Sequence, residues 1–205
     1  PVQSWSDIRS ATAYGKDCMQ NPFPGDAAPL GVGFSEDCLT VNVWRPANAT
    51  GPLPVMVWIY GGGFVNGGAS PEIYSGQEFA RQGVVFVSFN YRVGRFGFFA
   101  HPALADQPLR GNYGLMDQIA ALKWVQKNIA AFHGDPQNVT LFGESAGGFA
   151  VGSLLTSELS QGLFQKAIIQ SGSGRQNIVP NQSWQKAEQA GLAFASANGI
   201  SGHDA

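Results

Sequence analysis

The chain has 205 residues, 44% of them apolar and 13% charged, with a formal net charge of −2. That is enough chain for one domain with a large core, and it is too apolar for a disordered segment. The charge gives no electrostatic case for a nucleic-acid or anionic-membrane partner, and no apolar run reaches the length of a transmembrane helix.

Residues 1–38 read as irregular, punctuated by Pro22, Pro24, Gly25, Pro29, Gly31 and Gly33 in what should be a surface loop. Cys18 and Cys38 flank this loop; on spacing alone they are equally well a disulfide or two unrelated thiols. Residues 39–44 alternate apolar and polar, as a half-buried strand does, and 55–60 are nearly all apolar, as a strand covered on both faces is. A short helix over 76–82 and a second apolar strand over 84–89 follow. Asn90, Tyr91 and Arg92 leave that strand as a polar cluster, and 101–111 read as a loop. Over 113–131, apolar residues at 115, 119, 122, 125 and 129 form a helical stripe. Gly134-Asp135-Pro136 then reads as the break before a strand at 139–142. Residues 166–170 read as a further strand, and Ser183 caps a last helix that Asn198-Gly199 stops. Apolar strands alternating with helices predict an α/β fold, with a mostly parallel, doubly wound sheet.

The strand at 139–142 runs into Gly143-Glu144-Ser145-Ala146-Gly147, and apolar residues at helical spacing follow. Strand, sharp turn and helix around G-x-S-x-G are the context of a nucleophile elbow, which lifts a serine hydroxyl clear of a sheet. Residues two before and two after such a serine must be small, because the chain passes closely there. The competing reading is a Gly-rich strand–helix turn with an incidental serine. Gly61-Gly62-Gly63 follows another buried strand, at a high cost in backbone entropy, so something must need bare backbone there. An oxyanion hole, with the N–H groups of Gly62 and Gly63 aimed at developing negative charge, would need it; a flexible loop is the other reading. In a doubly wound sheet these segments share the carboxyl ends of the strands, where ligands bind.

With these pieces in place the chain resembles the type-B carboxylesterase family of α/β-hydrolases. The resemblance rests on ordered blocks running nearly end to end. They are Ser35-Glu-Asp-Cys-Leu-Thr-Val-Asn-Val-Trp44, Val57-Trp-Ile-Tyr-Gly-Gly-Gly-Phe64, Asn90-Tyr-Arg-Val-Gly94, Gly111-Asn-Tyr-Gly-Leu-Met-Asp-Gln118, Phe142-Gly-Glu-Ser-Ala-Gly-Gly148 and Gln170-Ser-Gly-Ser173. The resemblance implies an α/β-hydrolase catalytic domain over residues 1–205, with Ser145 as nucleophile. Gly62, Gly63 and Ala146 would be the oxyanion donors. It implies a Cys18–Cys38 disulfide, and so a secreted or periplasmic location, and an Arg92–Asp117 structural ion pair below the site. Glu144 and Ser171 would shape the site, or serve only structure. The implied reaction is ester hydrolysis through an acyl-enzyme on a small-molecule ester, with no metal or organic cofactor.

The resemblance also exposes what is missing. A serine needs a base, and His101 and His133 precede Ser145, whereas the order in such hydrolases is serine, acid, histidine. His203 follows too soon. The chain also starts Pro1-Val2-Gln3, with no initiator Met and no signal-peptide pattern. We therefore expect an internal piece of a longer enzyme, inactive alone, whose acid and histidine come from the remaining polypeptide. The short 18–38 loop holds no tryptophan for a choline cation and no long apolar lid, which argues against a choline-ester specialist and a lipase. Arg175 would accommodate an acyl group bearing a carboxylate, or simply face solvent. The alternative functions are a catalytically inactive adhesion or scaffold relative, against which the intact Ser145 and glycine run count, and a lipase of the same family. Asn48-Ala-Thr, Asn138-Val-Thr and Asn181-Gln-Ser match the glycosylation sequon, which matters only in a eukaryotic secretory host.

Overall fold

The computed structural model describes residues 6–107, 110–172 and 183–200. In chain order the elements are β1 (Asp17–Cys18), β2 (Phe34–Ser35), β3 (Val41–Trp44), β4 (Leu53–Ile59), α1 (Gln77–Arg81), β5 (Val85–Phe89) and α2 (Gly94–Phe98). After them come α3 (Tyr113–Asn128), β6 (Gly134–Glu144), α4 (Ala146–Thr156), β7 (Lys166–Gln170) and α5 (Trp184–Ala197). Five strands form one sheet in the order β3-β5-β4-β6-β7. β3 runs antiparallel to β5, and every other pair is parallel. The mostly parallel sheet expected from the sequence is therefore present, with one antiparallel edge.

The central strands are apolar on both faces because both faces are covered. On one face Val55 and Val57 of β4 sit beside Val85 and Val87 of β5 and Val139 and Leu141 of β6. Ile119, Leu122 and Val125 of α3, with Ile129 just after it, are buried in the same cluster, as are Ala150, Val151 and Leu154 of α4. The other face carries aromatic rings. Trp58 lies 4.9 Å from Phe142 and 5.3 Å from Tyr74, and Phe79 of α1 stacks on Phe86 at 4.8 Å, ring centroid to centroid. These large rings explain why a helix as short as α1 stays in place: each buries far more area than an aliphatic side chain.

Three local features depart from the sequence reading. α3 stops at Asn128 and tightens into a 3₁₀ turn, Ile129–Phe132, which His133 closes in the left-handed conformation (φ 62°). β6 then begins at Gly134, where the sequence suggested only a break. Pro136, which has no N–H to donate, sits inside a bulge. Between the Leu53–Gly134 and Val55–Val139 pairs, β6 advances five residues while β4 advances two. The third departure is α2, which has two glycines and no apolar period to announce it. A Cβ on Gly97 would fall 2.1 Å from the carbonyl oxygen of Arg92, so the close approach itself requires glycine.

The 1–38 region is irregular among its described residues apart from the two-residue β1–β2 bridge. Cys18 and Cys38 are joined as a disulfide, with Cα atoms 4.9 Å apart. Closing a loop of this length removes unfolded-state freedom worth about 3 kcal/mol. Among the described residues, no helix is long and apolar enough to cross a membrane.

Candidate active site

Ser145 sits between the end of β6 and the start of α4, with φ 53° and ψ −121°. An L-residue reaches such angles only when its surroundings force them. The surroundings here are backbone. Ser145 N–H donates to the carbonyl of Gln170 at the end of β7 (2.9 Å). A Cβ on Gly147 would fall 2.0 Å from the carbonyl oxygen of Ile59, and one on Gly143 would fall 2.6 Å from the backbone of Gly147. The glycines two before and two after the serine are therefore required by contact with β4 and with each other. Ala146 opens α4, so its N–H lies outside the intrahelical ladder, at the positive end of the helix. The Ser145 hydroxyl makes no hydrogen bond among the described residues, and the side chain is part exposed.

The glycine run lies against this turn. A Cβ on Gly61 would fall 3.1 Å from the Cβ of Ser145 and 2.9 Å from the carbonyl oxygen of Glu144. Gly62 (φ 95°), Gly63 (φ 62°) and Phe64 (φ 63°) all take left-handed angles. The Gly62 carbonyl accepts from the N–H groups of Val65 (3.0 Å) and Asn66 (3.1 Å), and the N–H groups of Gly62 and Gly63 donate to no carbonyl among the described residues. Gly61, packed on the strained serine, thus leads into two amides that have no carbonyl partner among the described residues.

Glu144 and Ser171 flank the same point. Glu144 pairs in register with Gln170, so Ser171, itself at φ 50°, directly follows the residue whose carbonyl holds Ser145. Glu144 also raises the Tyr74 phenol above its ordinary range, after the larger effects of burial and of Asp26. An aromatic recess of about 250 Å³ opens beside them, lined by Trp58, Tyr74, Phe79, Phe86, Phe142 and Gln170.

Two side-chain clamps hold the strand ends: one ties the end of β5 to α3, the other ties the ends of β4 and β5 together. Arg92 donates from Nε and Nη2 to the two Asp117 oxygens, each at 2.8 Å, and its backbone N–H adds a third bond at 3.0 Å. Hydrogen bonding to Asp117 pushes the Arg92 guanidinium above its ordinary range, against the opposing effect of burial. Tyr60 and Tyr91 stack at 4.4 Å. Each hydroxyl donates to the other residue's carbonyl, at 2.9 and 3.0 Å, and the Tyr60 hydroxyl also accepts from Tyr91 N–H at 3.1 Å. The sequence reading missed this second clamp. Two tyrosines at matching strand ends were the available signal.

The histidines are placed elsewhere. His101 is buried; its Nδ1 accepts from Ala103 N–H at 3.1 Å, and its ring stacks on Phe99. His133 precedes β6, and its carbonyl holds Leu53 at the start of β4, a full strand length from Ser145. His203 and Arg175 lie outside the described residues. Among those residues no group of three His, Cys, Asp or Glu side chains could hold a metal.

A mostly parallel sheet with a strained serine on a strand-to-helix turn defines the α/β-hydrolase fold, here represented in part. Solved structures agree: one PNB esterase superposes with a TM-score of 0.84 at 44% identity, covering 98% of this chain and 40% of its own. A thermophilic PNB esterase gives 0.85 at 44%, covering 98% and 41%. The chain belongs to the carboxylesterase family, whose model matches residues 1–205. It is 46% identical over 205 residues to the para-nitrobenzyl esterase of Bacillus subtilis (strain 168), covering 98% of this chain and 40% of that protein. It is 49% identical over 175 residues to the fumonisin B1 esterase of Sphingopyxis macrogoltabida, covering 83% and 32%. The chain thus spans two fifths or less of these relatives' length.

Proposed function

We propose that the complete protein is a serine carboxylesterase acting on small-molecule esters. The 205 residues would be the part of its catalytic domain that carries the nucleophile and the oxyanion hole. The observation that carries this reading is the contact of Gly61 with the strained Ser145 turn, together with Gly62 and Gly63 N–H groups that donate to no carbonyl among the described residues. Similarity to the two esterases supports the same chemistry. Ser145 Oγ attacks the ester carbonyl and passes its proton to a histidine from polypeptide outside these residues, with an acid that orients the histidine. The carbonyl oxygen becomes an oxyanion held by the N–H groups of Gly62, Gly63 and Ala146. Collapse expels the alcohol, which takes the proton back from the histidine. Water then attacks the acyl-serine by the same route and releases the acid. Glu144 and Ser171 shape the rim around the attacking oxygen, and the Arg92–Asp117 pair fixes the strand end beneath it. The disulfide supports a secreted or periplasmic setting.

Treatment of the complete protein with a fluorophosphonate tests this. We expect rapid, stoichiometric phosphonylation mapped to Ser145 by mass spectrometry, and no ester turnover by the 205-residue piece alone. Folded complete protein that resists labelling would overturn the reading in favour of a non-catalytic relative.

A further inference from the structure

We propose that Gln20 is a positioning residue that sets the Gly62 and Gly63 amides from within the disulfide-closed loop; this rests on the reading of those amides as the oxyanion hole. Gln20 Nε2 donates to the carbonyls of Gly67 (2.7 Å) and Cys18 (2.9 Å), and its Oε1 accepts from Gly67 N–H (2.8 Å). One planar amide therefore grips both main-chain groups of Gly67 and ties them to a disulfide half-cystine. Gly67 has φ 112°, and a Cβ on it would fall 2.8 Å from the carbonyl oxygen of Gly61 and 2.7 Å from the Tyr60 ring. The gripped residue is thus wedged against the start of the turn.

Asn66, its neighbour, repeats the arrangement. Its N–H donates to the Gly62 carbonyl at 3.1 Å, and its own carbonyl oxygen lies 2.2 Å from where a Cβ on Gly62 would be. Its side-chain amide donates to Asp26 in the disulfide loop at 3.3 Å. Residues 66 and 67 therefore touch the turn on one side and the disulfide loop on the other. Gly63 has no such support of its own. It is exposed, and the nearest neighbour of a Cβ there would be 3.8 Å away. Its N–H direction follows from the Gly62–Asn66 hydrogen bond, and so from what holds residues 66 and 67.

Oxyanion donors act only when aimed to within about half an ångström, and a misplacement of about 1 Å can cost roughly a hundredfold in rate. Loss of a grip one step removed is expected to cost about tenfold. The amide is specific: in Gln20→Glu a carboxylate oxygen would replace Nε2 and face two carbonyl oxygens, whereas Gln20→Met keeps the length and loses all three bonds.

The test uses the complete protein, with both Gln20 variants and Ser145→Ala. Active sites are counted by end-point fluorophosphonate labelling, so that any misfolded fraction is excluded. For both Gln20 variants we expect kcat per labelled site to fall about tenfold with KM changed less than about twofold. Affinity for a trifluoromethyl ketone, whose carbonyl oxygen becomes an oxyanion when Ser145 Oγ adds to its carbonyl carbon, should fall in step with kcat/KM. Unchanged kcat per site in both variants, or a rise in KM alone, would overturn the positioning role while Ser145→Ala stays inactive. Turnover retained by Ser145→Ala would instead overturn the underlying nucleophile reading.

Discussion

Replacing Ser145 by alanine should lower ester turnover in the complete protein by about five to six orders of magnitude, with substrate binding nearly unchanged. The size of the effect follows from what would remain. If the glycine turn and the Ala146 amide are the proposed oxyanion donors, they would still polarise a bound carbonyl, so a residual rate above water is expected, but no covalent route is left. The fold should tolerate the change. Ser145 is held by its backbone, through the hydrogen bond to Gln170 and the close packing of Gly143 and Gly147, and its hydroxyl takes part in no hydrogen bond among the described residues. Steady-state kinetics, with a thermal melt to verify folding, decides the matter. Activity within tenfold of the parent would show that the nucleophile lies elsewhere.

The second large effect is structural. Gly147→Ala should destabilise the protein by about 3 kcal/mol or more, at the upper end of what overpacking costs. The added methyl would meet the Ile59 carbonyl oxygen at 2.0 Å and the Tyr60 carbonyl oxygen at 2.8 Å, and neither is the end of a flexible side chain. To make room, α4 must part from β4, and the end of β4 is where the glycine turn begins. Gly162→Ala is the control. Gly162 has φ 78° and nothing within 4 Å of a Cβ, so only backbone strain of about 1 kcal/mol applies. Urea unfolding of the two variants should give clearly separated midpoints. Coincident midpoints would mean that the elbow can relax and that its glycines are a matter of backbone angle alone.

These cases also show which parts of the molecule a one-dimensional reading can reach. β4 and β5 were legible because burial on both faces leaves a run of apolar residues. The strand-to-helix turn at Ser145 was legible because a strand signal, two glycines and a helical period meet within ten residues. β6 was half legible: its buried end, 139–142, stood out, while Pro136 disguised its start as a turn although the chain bulges and continues. The supports of the site were least legible. Gln20 is one polar residue in an irregular loop, and its partner Gly67 is 47 residues away. Tyr60 and Tyr91 are separated by 31 residues and Arg92 and Asp117 by 25. No local period or motif records such pairings; only the return of the chain makes them, and resemblance to a family supplied the Arg92–Asp117 pair where residue chemistry alone could not.

The stacked tyrosines also set an alkaline ceiling on the fold. Both rings are wholly buried, and burial holds both phenols far above their ordinary range. In the unfolded chain each loses its proton near pH 10, so above that pH the unfolded state binds fewer protons than the folded one. The contribution of the pair is therefore complete below about pH 10 and declines by roughly 3 kcal/mol per pH unit above it. Of the five tyrosines, Tyr60 and Tyr91 should stay silent in an ultraviolet titration until the circular dichroism collapses, and then ionise together with it. Phenolate signal from these two rings in protein that is still folded would break that link. The alkaline limit of the fold is thus tied to the two strand ends from which its glycine turn and its Arg92 clamp depart.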